Sequence, residues 1–450
     1  MHLIKRLFSL SKIEQQKLKI TGLLFFCIIA SYTIAKELQH IIFNVAVGIT
    51  HMPFAKLLIM LLLLPLLFVD GMLVDRFRRD QILMLYLTIF SFTGLTFCYL
   101  LGTGDVQAHV SPIIGWLFFL YVEGYVVFIL GVFWAFANSI HNPQHAEHTY
   151  GFIVSISKLG GIFSGGFAYL FLSTRLSENF KDIDKLRVLL CISSAMLGIA
   201  ALFLYTQLKK VKKNVLQGYC TNICEKIEKT GAAAGLKLMI KQPYILGIFF
   251  IIFSYEVMVE VINYQRLLVV MPGKAAAVGE SISAIGTALY CQSMTMQALA
   301  CILSFFIANG MLRFLGIRTS LFIMPIFVFC ILAAYFASGV QQIFVFLYIV
   351  LHALNYGVNT PIREGLYIVA SRDIQLKSKF IVDGLAVKTG RCTGQLFNIG
   401  VSKVLMHAQY GSIAFATNTF FICGLSIWFI VCTAVGKRYA KAIRQNELIG

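Results

Sequence analysis

Charge is scarce in this 450-residue chain: Asp, Glu, Lys and Arg make up 13% of it, against 58% hydrophobic and 14% aromatic residues. With a mean hydropathy of +0.80, the chain carries more apolar surface than a soluble core can hide, which excludes a water-soluble domain and leaves an integral membrane protein. Proline is sparse at 8 residues, and stretches alternating apolar with polar residues are missing, so spans built of β-strands are excluded. Apolar runs of roughly 20 residues recur instead, the length a helix needs to cross about 30 Å of hydrocarbon.

Other absences narrow the function. The 11 cysteines, such as Cys27, Cys98, Cys301 and Cys330, are scattered through apolar segments with no disulfide framework. Cys220 and Cys224 lie in a lysine-rich segment without the second ligand pair that a structural zinc needs, and His141, His145 and His148 share a polar loop with Pro143 and Glu147, so no metal site is expected. No phosphate-binding loop occurs; residues 384–393 come nearest, with arginine in place of lysine and the wrong glycine spacing, so ATP hydrolysis is not expected to supply energy. No nucleophile or metal constellation stands out in the apolar runs, and the chain reads as a non-enzyme with no catalytic residue and no cofactor.

Spans are expected at residues 20–35, 54–74, 82–101, 112–137, 150–172 and 188–208, then at 244–270, 282–311, 320–337, 343–361, 380–405 and 413–435. The predicted fold is therefore all-α, with about twelve transmembrane helices in two six-helix halves. Residues 1–208 form the first bundle, 209–242 a basic cytoplasmic linker, and 243–450 the second bundle with a basic tail. The first span, preceded by Lys5, Arg6, Lys12, Lys17 and Lys19 without a cleavage-like site, is expected to be retained.

The net charge of +18 would suggest nucleic acid in a soluble protein. Here Lys and Arg concentrate in the start, the linker, the loops at Arg76, Arg78 and Arg79 and at Arg372, Lys377 and Lys379, and the tail. That bias places both termini in the cytoplasm and makes the basicity a matter of topology, with no nucleic-acid partner. The expected setting is a bacterial cytoplasmic membrane, with the lipid bilayer as partner and a monomer as the working unit.

One phrase is written twice. Gly71-Met72-Leu73 has Arg79 eight residues after its glycine, and Gly310-Met311-Leu312, 239 residues later (310 − 71), has Arg318 at the same spacing. Such a repeat over half the chain suggests two related membrane bundles. The first copy, residues 70–80, resembles the G-x-x-x-D-R-x-x-R loop of major facilitator transporters, with Gly71, Asp75, Arg76 and Arg79 in its defining places. Such a loop lets an acid pair with arginines across helix ends and break when the halves move, so these residues, with Gly310 and Arg318, are expected to gate transport.

Charges also stand where lipid would be, at a cost of at least about 2.5 to 3.5 kcal/mol each near a span centre. Lys36, Glu37 and His40 fall within one turn at the end of the first span; Glu123 lies in the fourth, and Lys158 in the fifth among Gly160, Gly161, Gly165 and Gly166. Glu123 and Lys158 read equally well as a structural pair or as ligand groups. Glu256 and Glu260, four apart in the seventh span, make a proton-binding candidate unless bases neutralise them, and Arg266 follows on the same helix. In the eleventh span Asp383, Lys388 and Arg391 share one broad polar stripe. The embedded bases suit a polyanion, because neighbouring cations in a low dielectric need an anion to offset their repulsion.

Several of these segments resemble the nucleotide translocases, the ATP/ADP antiporter family of plastids and obligate intracellular bacteria, itself similar to a branch of the major facilitator fold. Residues 31–40 are similar to the family's first-helix N-Y-T-x-x-R-D-x-K-D pattern, with Gln39 and His40 replacing a lysine and an aspartate. Residues 133–140 resemble F-W-x-F-A-N-x-I, preceded by Glu123. Residues 258–265 resemble L-V-E-V-T-W-K, with Glu260 as the family glutamate and Tyr264 where a lysine is expected. Residues 375–394 resemble K-V-K-x-K-x-x-I-D-V-x-x-x-x-x-G-K-S-G, with Asp383 and Gly390 aligned and Arg391 in place of lysine. The resemblance implies nucleoside phosphate exchange by alternating access, with an anionic nucleotide bound by Lys36, Glu37, His40, Glu123, Lys158, Glu260, Arg266, Asp383, Lys388 and Arg391. The rival expectations are a proton-coupled major facilitator transporter of another anionic metabolite and a non-transporting membrane receptor or scaffold.

Overall fold

The computed structural model describes residues 12–62, 77–102, 111–140, 143–173, 180–210, 239–271, 282–303, 316–359, 362–363, 366–369, 379–406, 410–445 and 449. In chain order its helices are α1 (Lys12–Ala46), α2 (Ile49–Leu62), α3 (Arg79–Leu100), α4 (Pro112–Tyr125), α5 (Gly131–Ile140), α6 (Pro143–Ser173) and α7 (Asp182–Lys210). There follow α8 (Pro243–Val270), α9 (Ile282–Ile302), α10 (Ile323–Ser338), α11 (Ile343–Leu354), α12 (Lys379–Met406) and α13 (Tyr410–Gln445).

Among the described residues, 8 helices are long and apolar enough to cross a membrane: Lys12–Ala46, Arg79–Leu100, Pro112–Trp134, Phe152–Ser173, Asp182–Lys210, Pro243–Val270, Gly316–Ser338 and Phe415–Gln445. Helices α2, α9, α11 and α12 stand at the other four expected spans. The chain is a multi-pass, all-α membrane protein.

The first helix runs well past both edges of its expected span. Its polar start is stabilised by Glu14 in the first turn, where an acid suits the positive end of the helix dipole. The Lys17 ammonium donates to the Ile140 carbonyl across 2.6 Å and so serves the end of α5. At its other end the amides of Val47 and Gly48 both reach the Phe43 carbonyl, at 2.8 and 3.1 Å, with Gly48 at a φ of 111° that favours glycine.

The chain divides into two compact units, Met1–Glu225 with Met271–Ala298, and Lys226–Val270 with Leu299–Gly450. In the first, α1 is central. Gly22 faces Ile156 of α6, and Gly160 lies so close to the Phe26 carbonyl that a Cβ would collide with backbone. Phe25 stacks on Phe133 at 4.3 Å. Hydroxyls tie the helices together without lipid-exposed polar groups: Ser31 and Ser193 exchange bonds of 2.8 and 2.9 Å, and Tyr290 of α9 donates to the Ile34 carbonyl at 3.0 Å. The N-terminus of α9 is capped from α7, where Asp182 accepts from the Ile282 amide at 3.2 Å and from the Ser283 hydroxyl at 2.6 Å.

In the second unit α8 is central and its partner is α12. A Cβ on Gly390 would stand 2.9 Å from Glu256 Cβ, and one on Gly394 would stand 2.8 Å from Glu260 Cβ. Both contacts advance by one turn together along the two helices, so α8 and α12 are parallel, as are α1 and α6. The two sets repeat at one common offset of 234 residues (256 − 22, 390 − 156): Gly22 with Ile156 answers to Glu256 with Gly390, and Phe26 with Gly160 to Glu260 with Gly394.

A second repeated feature is a π-helical turn. α4 passes through one at Val126–Leu130 into α5, and α11 ends in another at Asn355–Asn359. Turns of this kind insert one residue into a helix and concentrate at functional positions.

Candidate functional site

The first cluster belongs to α1 and α4. Lys36 projects from α1 and its Nζ stands 2.8 Å from Glu123 Oε1, the two side chains being 24% and 23% exposed. Lys36 also donates to Gln39 Oε1 at 3.0 Å. The Gln39 amide donates in turn to Glu123 Oε1 at 3.2 Å and to the Phe119 carbonyl at 3.1 Å. One turn of α1 separates Lys36 from Gln39, so both meet the same carboxylate. Lys56 of α2 lies within electrostatic range of Glu123.

Glu37 and His40 lie beside this pair on α1 and are buried, as is Lys158 on α6. Glu37 is within electrostatic range of Tyr290. Of the two readings for Glu123 and Lys158, the carboxylate's ion pair is with Lys36. Burial of three ionisable groups on neighbouring helices is tolerated only where polar atoms surround them.

The second cluster belongs to α8, α11 and α12. Arg391 Nε donates to Glu256 Oε2 at 2.8 Å, with the arginine 49% exposed and the glutamate 10%. One turn further on, the Gln395 amide donates to Glu260 Oε2, and Asn398 donates to the Glu260 carbonyl at 3.1 Å. The close approach at Gly390 and Gly394 makes these short bridges possible. Of the two acids that the sequence places on one face, Glu256 thus receives a guanidinium and Glu260 an amide.

Arg266 is 1% exposed, with its guanidinium 4.2 Å from the centre of the Tyr348 ring and its Nη1 3.4 Å from Asn263 Oδ1. The Tyr348 ring lies 4.3 Å from that of His352, and His352 is within electrostatic range of Arg266, Glu260 and Arg391. Lys388 is exposed on α12, with no salt bridge among the described residues. Asp383 lies on the same helix.

Of the expected gating residues, Gly71, Asp75, Arg76 and Gly310 lie outside the described residues. Arg79 is the first residue of α3, whose preceding Arg78 pairs with Asp80 at 3.2 Å. Arg318 lies in the helical segment Gly316–Ser338 and packs beside Gly436 of α13.

Gln39, Gln395, Tyr348 and His352 complete the clusters without having been singled out as site residues. Their signal in sequence is faint, since they carry no fixed charge to mark them within an apolar run. Gln39 alone carried a hint, standing where a lysine is expected.

The chain has relatives and structural counterparts. The profile of the TLC ATP/ADP transporter family matches residues 113–439. ADP,ATP carrier protein 4 of Rickettsia bellii is 22% identical over 504 residues, covering 98% of this chain and 94% of that protein. The Rickettsia conorii protein of the same name is 21% identical and covers 98% of this chain and 95% of its own length. Among solved structures, a bacterial homologue of the human lysosomal transporter Spinster, in an inward-facing and unoccupied conformation, matches with a TM-score of 0.62 at 14% identity, covering 96% of this chain and 98% of the other. The nucleoside transporter NupG matches with a TM-score of 0.53 at 16% identity, covering 96% and 100%.

Proposed function

This chain belongs to the TLC ATP/ADP transporter family, and we propose that it exchanges ATP for ADP, or related nucleoside phosphates, by alternating access. The observation that carries the reading is that each unit holds a basic side chain on a carboxylate inside its helices, Lys36 on Glu123 and Arg391 on Glu256.

An unpaired cation at mid-span costs about 2.5 to 3.5 kcal/mol or more. The carboxylates remove that cost in the empty carrier, and an arriving phosphate oxygen can take their place against the cation. Each cation is thus neutralised by its carboxylate in the empty carrier and by phosphate in the loaded one, and exchange follows if only the loaded carrier, with these pairs opened, reorients. Arg391 can engage two phosphate oxygens at once, whereas Lys36 acts as a point charge. Arg266 and Lys388 supply further positive charge on the helices of the second cluster. Gln39 still holds Glu123 while Lys36 is occupied by substrate, and Gln395 keeps Glu260 engaged one turn from Glu256.

The same reading places the chain in a bacterial cytoplasmic membrane with both termini in the cytoplasm. Each cluster is complete within one chain, in keeping with a working monomer. The same reading divides the chain into a first bundle at 1–208 and a second at 243–450, joined by the basic linker, with the repeated glycine register in its support and α9, most of which groups with the first unit, assigned to the second bundle by its place in the chain. Gly71, Asp75, Arg76, Arg79, Gly310 and Arg318 would control the cytoplasmic opening.

Proteoliposomes loaded in turn with ADP, another nucleotide, inorganic phosphate or buffer, and then offered labelled ATP, test the reading. Uptake that depends on internal nucleotide supports exchange. Uptake indifferent to the internal solute and abolished by a protonophore would replace it with proton-coupled transport.

A further inference from the structure

Glu123 and His352 occupy matching places in their helices. Each stands three residues ahead of a π-helical turn (126 − 123, 355 − 352), in α4 and α11 respectively. In the first unit that place holds a hydrogen-bond acceptor, Glu123 Oε1, engaged by Lys36 and Gln39.

In the second unit the place holds an imidazole whose two nitrogens are differently committed. His352 Nδ1 is 3.3 Å from the Tyr348 carbonyl. A carbonyl only accepts, so Nδ1 carries the proton and the neutral ring presents Nε2 as an acceptor. Nε2 has no hydrogen bond among the described residues, and the half-buried ring is held in place against Tyr348 at 4.3 Å. The charged groups of this cluster are differently equipped: Arg266 and Arg391 only donate, Glu256 receives Arg391, and Glu260 Oε2 receives the Gln395 amide. His352 therefore offers an acceptor beside two donors, and a phosphate, which brings acceptors only, satisfies the arginines but not the imidazole.

Building on the nucleotide exchange proposed above, we propose that His352 is a specificity-determining residue whose Nε2 accepts a hydrogen bond from a neutral donor of the nucleotide, its exocyclic amine or a ribose hydroxyl. Its task is to separate nucleotides from one another and from simple polyphosphates, while the guanidiniums hold charge.

The test is competition against labelled ATP uptake in proteoliposomes by ADP, inosine diphosphate, which lacks the exocyclic amine, and 2′-deoxy-ADP, which lacks a hydroxyl. One of the two analogues is expected to compete about tenfold more weakly than ADP with the unaltered protein, the size of one lost hydrogen bond, and the identity of the weak analogue names the donor. His352→Leu abolishes that preference, His352→Gln, whose side-chain oxygen reaches the place of Nε2, retains part of it, and His352→Lys, a donor only, loses it. Preference unchanged in His352→Leu and His352→Lys, or no preference in the unaltered protein, overturns the inference while leaving exchange intact. If His352→Leu fails to fold, judged by thermal unfolding in detergent, His352→Lys and His352→Gln decide the matter. No nucleotide flux in the unaltered protein overturns both the exchange and this role.

Discussion

Arg391 reaches Glu256 across 2.8 Å from a helix position that directly follows Gly390, the residue against which the same glutamate's Cβ is packed. The glycine brings the two backbones together and the guanidinium folds back over the join. With the arginine 49% exposed, the pair is open enough to be exchanged for a ligand, and its worth lies in neutralising charge in the empty carrier rather than in stability.

Replacing Arg391 with alanine is therefore expected to raise the KM for nucleotide by about 10- to 100-fold, the range of a lost charge-assisted hydrogen bond. Replacing Arg79, at the start of α3, changes turnover with little effect on KM. Initial-rate uptake over a range of ATP concentrations separates the two; equal effects of both on KM would refute the distinction.

Lys36→Ala leaves Glu123 without its ion-pair partner inside the helices, at an expected cost of about 3 kcal/mol. The double substitution Lys36→Ala, Glu123→Ala recovers most of that loss, because neither charge then remains. Thermal unfolding of Lys36→Ala, Glu123→Ala and the double variant in one detergent gives the cycle, while nucleotide binding stays weak in all of them.

Gly160→Val drives a side chain into the Phe26 carbonyl, and since backbone cannot rotate aside the α1 and α6 contact has to open. The expected loss is about 2 kcal/mol, seen as a lower unfolding temperature. The same change at Gly131, where an added Cβ would meet nothing within 4 Å, is expected to leave packing unaffected and serves as the control.

Asp182→Ala removes the acceptor shared by the Ile282 amide and the Ser283 hydroxyl. Fraying of the α9 N-terminus follows, with a cost of about 1 kcal/mol, the usual worth of a cap. Hydrogen exchange at the Ile282 amide should accelerate about fivefold, and an unchanged rate would show that the cap contributes nothing.

Helix positions were legible because a span must be apolar over its whole length, and that pattern survives in composition alone. Their ends were less so: α1 extends beyond its apolar stretch because Glu14 and Lys17 find uses at its polar start, which hydropathy does not record. Lys36, Glu123 and Arg391 were legible as expensive charges, and the pairing of Glu123 with Lys36 rather than Lys158 needed coordinates, because sequence spacing relates residues along one helix and says nothing of the next. Gln395 and His352 were silent because neither carries a fixed charge nor stands in a matched motif, and Gln39 showed only as the residue standing where a lysine is expected. The repeat found at the G-M-L phrase is echoed in the glycine contacts, at a slightly different offset, as loops of unequal length in the two halves require.

The π-turns store length without storing angle. Each closes its hydrogen bond one residue later than an α-helical turn, so removing one residue from within Val126–Leu130 or Asn355–Asn359 would restore an unbroken α-helical spiral with the faces on either side nearly in register. Glu123 would then still meet Lys36, whereas the same deletion in the regular part of either helix would rotate everything beyond it by about 100°. Single-residue deletions should thus be far milder inside these two turns than one turn away, as though each helix carried a slack link at that point.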